Sequence, residues 1–214
     1  MKGKVKSKFM IFLNPLYQQV YTTWAGRINH FPLIRLIFSS LDKTIFYFLI
    51  WILLRFTWRR LRKIGFSGKR ELTLGLFVIY LLLLFTLTVF REGYFPWDFQ
   101  IHWQRPLSVI NFNPLIETVK LLHGRSLLDF FYNSIGNFVW FIPWGILFPL
   151  VQKKQVHFPQ TFISGLLLSL VIETLQFFLI TGVTDIDDVI FNTLGAMIGY
   201  AILRFITRIR DYHF

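Results

Sequence analysis

The sequence predicts an all-α integral membrane protein: a compact bundle of four to five transmembrane helices with an irregular outer loop over residues 91–132. Three observations lead there. Of the 214 residues, 54% are apolar and only 16% are charged, against roughly a quarter in an ordinary soluble domain. Several apolar runs are long enough to cross hydrocarbon. Basic residues gather beside those runs, as they do where loops meet anionic headgroups.

The same clustering decides what the formal net charge of +12 means. Membrane lipids, and no nucleic acid, are the expected partners. There is no cysteine, so no disulfide framework and no thiol chemistry. The opening MKGKVKSKFMIFLNPLYQQ has a charged head, but Asn14 and Pro15 break its short apolar run, which argues against a cleaved signal peptide.

Residues 1–70 form a basic, aromatic extension. Lys2, Lys4, Lys6, Lys8, Arg27 and Arg35 stand among Tyr17, Tyr21, Trp24 and Phe31, a mix suited to the bilayer face. For the first ten residues a disordered basic tail fits equally well. Residues 44–58, TIFYFLIWILLRFTW, make one short transmembrane or interfacial helix. The loop 59–70 carries Arg59, Arg60, Arg62, Lys63, Lys69 and Arg70, which places it in the cytoplasm. Residues 71–214 then form the main membrane domain. Its first helix, 72–90, crosses outward. The following loop is charge-balanced, and Pro96, Pro106, Pro114, Trp97 and Trp103 suggest a cap resting on the interface. Helix 133–151 returns to Lys153 and Lys154, helix 161–180 goes out, and helix 188–206 comes back to Arg204, Arg208 and Arg210.

Those four spans obey the charge rule and leave the C-terminus cytoplasmic. A fifth span at 44–58 would put the basic residues before it outside, yet the apolar run 45–54 is hard to keep out of hydrocarbon. The side of the N-terminus stays open.

The stretch 169–199, SLVIETLQFFLITGVTDIDDVIFNTLGAMIG, breaks the apolar pattern with Glu173, Gln176, Asp185, Asp188 and Asn192. A carboxylate at the centre of a membrane helix costs about 2.5–3.5 kcal/mol on insertion scales, so such residues mark a site. At 1.5 Å per residue, Glu173 lies roughly 10 Å, and Gln176, Asn192 and Asn137 about 6 Å, below the outer surface, with Asp185 and Asp188 at the mouth. Asp185, Asp188, Asn192, Gly195 and Gly199 fall on one helical stripe, and Gly165, Ser169, Glu173 and Gln176 on another. The two stripes are expected to face each other, with the Gly195 and Gly199 pair admitting a close neighbour. Asn133, Asn137, Trp140 and Trp144 share a face of the helix before, which Pro143 can bend.

Each polar residue has a plainer role available. Asp185 and Asp188 suit a helix N-terminus, while Asn137, Gln176 and Asn192 can simply bond helices together. Glu173 is harder to dismiss. No basic residue lies at its level in the last three spans, so its partner is a neutral donor, a bound cation, a ligand or a proton it holds itself.

The segments NFVWFIPWGILFP, ETLQF and TGVTDIDDVIFNTLGAMIG resemble the VanZ-like family of bacterial membrane proteins. Asn137, Pro143 with Gly145, Glu173, Gln176, Asp185, Asp188, Asn192 and Gly195 together carry the resemblance, which extends over about 72–205. NFNPL at 111–115 is similar to a short Asn/Pro stretch in the family's outer loop. Trp144 stands where the family usually has Phe, and the first 70 residues have no counterpart in its short members. The resemblance implies a plasma-membrane protein of a Gram-positive bacterium, tied to the cell envelope and to reduced susceptibility to glycopeptides such as teicoplanin. It supplies no reaction.

Three functions fit. The first is a binder whose outer-leaflet acidic and amide pocket (Asn137, Glu173, Gln176, Asp185, Asp188, Asn192) holds a lipid-linked envelope precursor, a headgroup or the antibiotic, with no cofactor. The second is an enzyme on a lipid-anchored precursor, with Glu173 and Asp188 as acid and base or as ligands of a divalent cation such as Mg²⁺ or Ca²⁺. The third, a small transporter, lacks a polar row toward the cytoplasm. Pro143, Gly145, Gly195 and Gly199 are expected to serve helix packing.

Overall fold

A computed structural model of the chain describes residues 10–28, 31–115 and 136–212, with side chains to residue 209. Lys2, Lys4, Lys6, Lys8, Asn133 and the loop segment 116–132 lie outside the described residues. Six α-helices occur among those described: α1 (Asn14–Trp24), α2 (Phe31–Leu61), α3 (Gly68–Thr88), α4 (Gly136–Val151), α5 (Phe158–Leu179) and α6 (Ile186–Tyr212). Four of them, α2, α3, α5 and α6, are long and apolar enough to cross a membrane, and α4 is a shorter apolar helix. The chain is an all-α, multi-pass membrane protein.

Its backbone contacts separate two units, Met1–Ser67 with Val78–Gln100 and Gly68–Phe77 with Ile101–Phe214, and α3 contributes residues to both.

In the first unit, α2 begins at Phe31, well before the 44–58 segment marked out by apolar character. The added turns hold Ser39, Ser40, Asp42 and Lys43, all buried. Ser40, Asp42 and Lys43 are tolerated because nearby groups satisfy them. Asp42 Oδ2 accepts the Ile11 N–H at 2.8 Å, and its Oδ1 accepts those of Phe12 and Leu13 at 2.7 Å each. The Tyr94 hydroxyl donates to Asp42 as well, at 2.7 Å. Leu13, the residue before α1, has no side-chain cap to offer. A carboxylate on another helix therefore takes the free N–H groups of the turn entering α1 and faces the positive end of its dipole. Lys43 does the converse at the end of α3: its ammonium donates to the Phe90 and Arg91 carbonyls at 2.7 and 3.2 Å. Burial and the neighbouring Asp42 carboxylate hold the Tyr94 phenol above its usual range, so it stays a donor.

Just past Tyr94, the short 3₁₀ turn Pro96–Asp98 is closed by Asp98, whose Oδ2 accepts the Tyr94 and Phe95 N–H groups at 2.8 Å each. Those backbone donors, Phe95 foremost, hold the Asp98 carboxyl below the ordinary carboxylate range. Since the folded value is the lower one, the turn gains from Asp98 above the unfolded value and loses that gain as pH falls through the folded value. The Tyr94 and Phe95 amide resonances are expected to titrate with a midpoint below that of free aspartate, and Asp98→Asn should abolish the titration. An ordinary midpoint would contradict the capping role.

In the second unit, α4 and α6 approach so closely that backbone meets backbone. A Cβ at Gly145 would overlap the Ala196 carbonyl oxygen, one at Gly195 that of Phe138, and one at Gly199 that of Ile142. A Cβ at Gly165 of α5 would lie 2.7 Å from the Ala196 side chain, so α5 also comes close to α6. Pro143 and Pro149 lie inside α4, which stays helical through both. Trp144 is buried, stacks on Phe148 and donates its indole N–H to Ser164 Oγ at 3.2 Å, whereas Trp140 is 40% exposed. One face of α4 thus packs inward while its flank remains open to lipid.

Candidate functional site

The site grows from the turn between α5 and α6. Helix α5 ends where Ile180 takes a left-handed backbone, φ 53°, and the Thr181 N–H returns to the Gln176 carbonyl at 3.2 Å. The loop after α3 supplies further caps. Arg105 donates to the Phe177 and Gln176 carbonyls at 2.7 and 3.3 Å, and the His102 N–H to the Phe178 carbonyl at 2.8 Å. A guanidinium at the negative end of α5 also suits the helix dipole.

Asp185 then starts α6. Its Oδ1 accepts the Asp187 N–H at 2.9 Å, the geometry of an N-terminal cap. Its other oxygen accepts from the Asn111 side-chain amide at 2.9 Å. Asn111 is also joined through its backbone: its N–H reaches the Thr184 carbonyl, and its carbonyl accepts the Ile186 N–H, each at 3.0 Å. This one-residue parallel bridge fastens the NFNPL segment to the mouth of α6. Asp187, 4% exposed, accepts the Leu115 N–H at 2.6 Å and extends the fastening.

Behind that turn sits Glu173, 5% exposed, whose Oε2 accepts the Asp185 N–H at 3.1 Å. A neutral donor is therefore one partner of Glu173. Asp188 and Asp185 are its charged neighbours. Asp188 in turn accepts the side-chain amide of Asn137 from α4. Four of the residues singled out in the sequence, Asn137, Glu173, Asp185 and Asp188, thus meet in one cluster drawn from three helices. Deeper along the same faces Asn192 donates to Ser169 Oγ at 2.9 Å, both residues being buried, so the two polar stripes do face each other. This pair holds α5 to α6 and stands apart from the acidic cluster. Gln176 is buried too, packed beside Gly182.

Sequence reasoning passed over Arg105 and the tie between Asn111 and Asp185. Arg105 lies in a loop with no periodicity to place it. The resemblance of NFNPL was the one available signal for Asn111. Among the described residues, no group of three or more Asp, Glu, His or Cys side chains is arranged to hold a metal ion. Chemically, the cluster offers carboxylate oxygens held in place by backbone and amide donors, able to accept hydrogen bonds from hydroxyl, amide or ammonium groups.

Fold and site together define a multi-pass helical membrane protein with an acidic and amide cluster at the junction of its last three helices. The VanZ/LLP1 family model matches residues 77–207, and the chain belongs to that family. It is 35% identical over 135 residues to Protein VanZ of Enterococcus faecium, a match covering 60% of this chain and 71% of the relative. No solved structure matches the chain.

Proposed function

We propose that this chain lies in a bacterial plasma membrane with its C-terminus in the cytoplasm. There it lowers susceptibility to glycopeptide antibiotics by holding a lipid-linked envelope precursor or a lipid headgroup at the acidic cluster. The observation that carries this reading is the meeting of Glu173, Asp185 and Asp188 with Asn137, where α4, α5 and α6 each contribute a polar side chain. Polar groups on membrane helices are expensive, and helix bonding alone would not require three acidic residues together. Sugar hydroxyls and peptide amines are the donors such a cluster accepts best. The glycopeptide link rests on the family. The membrane orientation rests on Lys153, Lys154, Arg204 and Arg208.

A second reading makes Glu173 and Asp188 an acid and base acting on the bound precursor. Their proximity favours it.

Glu173→Gln and Asp188→Asn, expressed in a glycopeptide-sensitive host, are each expected to leave membrane protein levels intact. The inhibitory concentration of teicoplanin should fall to that of cells lacking the protein. Unchanged tolerance in both variants would reduce the cluster to a structural role. Binder and enzyme separate on whether the purified wild type changes the mass of envelope lipids.

A further inference from the structure

The basic residues following α2 are gathered by a turn as well as by sequence. After the Arg62 N–H bonds to the Trp58 carbonyl at 3.0 Å, Lys63 takes a left-handed backbone, φ 52°. The Lys63 N–H then reaches the Arg60 carbonyl at 3.3 Å and the Ile64 N–H the Arg59 carbonyl at 3.0 Å. This helix-ending reversal folds Lys63 and Ile64 back toward Arg59 and Arg60. It leaves a cavity of about 350 Å³ lined by Phe56, Arg59, Arg60, Lys63 and Ile64.

Three of the five lining residues are cations and none is acidic. Their combined charge far exceeds the roughly half negative charge of a helix C-terminus, so the cavity favours an anion. The guanidinium groups rest on rings, Arg60 over Phe56 at 5.2 Å and Arg59 over Phe66 at 4.9 Å, which limits their freedom. Phe56 and Ile64, which line the cavity, are exposed, as are Leu61 and Phe66 in the same stretch of chain. Cations interleaved with exposed apolar side chains match the headgroup layer of a bilayer, where charge meets phosphate and the apolar surface meets glycerol and the first acyl carbons. A free phosphate ion would leave Phe56 and Ile64 without a role.

We propose that this cavity binds the phosphate of an anionic membrane phospholipid. Arg60 presents its planar fork to the phosphate oxygens, Arg59, whose guanidinium also donates to the Ile64 carbonyl at 3.5 Å, and Lys63 add positive charge, and Phe56 and Ile64 receive the lipid's apolar part. The site belongs to the first unit, and the acidic cluster around Glu173 to the second.

The test uses the full chain in nanodiscs of equal phosphatidylcholine and phosphatidylglycerol, with native mass spectrometry counting the lipid retained on release. The variant Arg59→Gln/Arg60→Gln/Lys63→Gln is expected to keep its helical circular dichroism and to lose retained phosphatidylglycerol by roughly tenfold or more. A control with the same loss of charge, Lys153→Gln/Lys154→Gln/Arg204→Gln, should lose severalfold less. Lys63→Gln alone should give a partial loss. The proposal is overturned if the triple variant retains phosphatidylglycerol as the wild type does, or if the control loses as much. Equally tight binding of inorganic phosphate by protein in phosphatidylcholine alone would assign the cavity to a soluble anion and likewise overturn it.

Discussion

Gly195→Val is expected to prevent α4 and α6 from packing. The full-length variant in detergent should lose the monodisperse folded species that the wild type gives on size-exclusion chromatography. Even a single Cβ at this position would overlap the Phe138 carbonyl oxygen and lie 3.1 Å from the Phe141 Cβ. A flexible side chain could move aside, but a carbonyl held in the α4 hydrogen-bond ladder cannot move without bending the helix. Overpacking an ordinary core costs about 1–3 kcal/mol, and the backbone obstacle here puts the cost at or beyond the upper end. Gly145→Ala and Gly199→Ala meet the Ala196 and Ile142 carbonyls and should each lower the thermal midpoint of detergent-solubilised protein. Gly136, with nothing within 4 Å of an added Cβ, is the control, and its alanine variant should melt like the wild type. If Gly195→Val also melts like the wild type, the close approach of α4 and α6 is wrong, and with it the placement of Asn137 against Asp188.

How far such features could be read from the chain depends on whether they are local. Gly195, Gly199, Asn192 and Asp188 share a helical face, and a 3-and-4 spacing reveals that without knowledge of the partner. Gly165, Ser169, Glu173 and Gln176 are legible for the same reason, and the Ser169 to Asn192 bond joins the two faces. The tie from Asn111 to Asp185 joins distant segments through a loop, and spacing carries no trace of it. The length of α2 was obscured for a different physical reason. Ser39, Ser40, Asp42 and Lys43 interrupt the apolar run, and a polar interruption ordinarily argues against helix in hydrocarbon. Here Asp42 accepts from the backbone leading into α1, Ser40 donates to the Thr86 carbonyl near the end of α3 and Lys43 to a carbonyl just after it, a condition no property of α2 itself announces.

The same burial makes Asp42→Ala the second large effect. The substitution removes the acceptor of the Ile11, Phe12 and Leu13 N–H groups and of the Tyr94 hydroxyl in one step. Hydrogen bonds to a charged group contribute about 1.5–3 kcal/mol each, though losses at one site overlap. Any of these donors left buried without an acceptor adds a desolvation penalty of about 1–3 kcal/mol. Asp42→Asn, which keeps one acceptor oxygen but no charge, should fall between Asp42→Ala and the wild type. The loss should be directional. Hydrogen exchange is expected to speed up at residues 11–13 and through α1, because α1 is released from α2, while α6 exchanges at the wild-type rate. Unfolding of the whole chain would speed exchange in both places. Equal acceleration in α1 and α6 would therefore show that Asp42 supports the entire molecule, and unchanged exchange at residues 11–13 would show that it does not hold α1 at all.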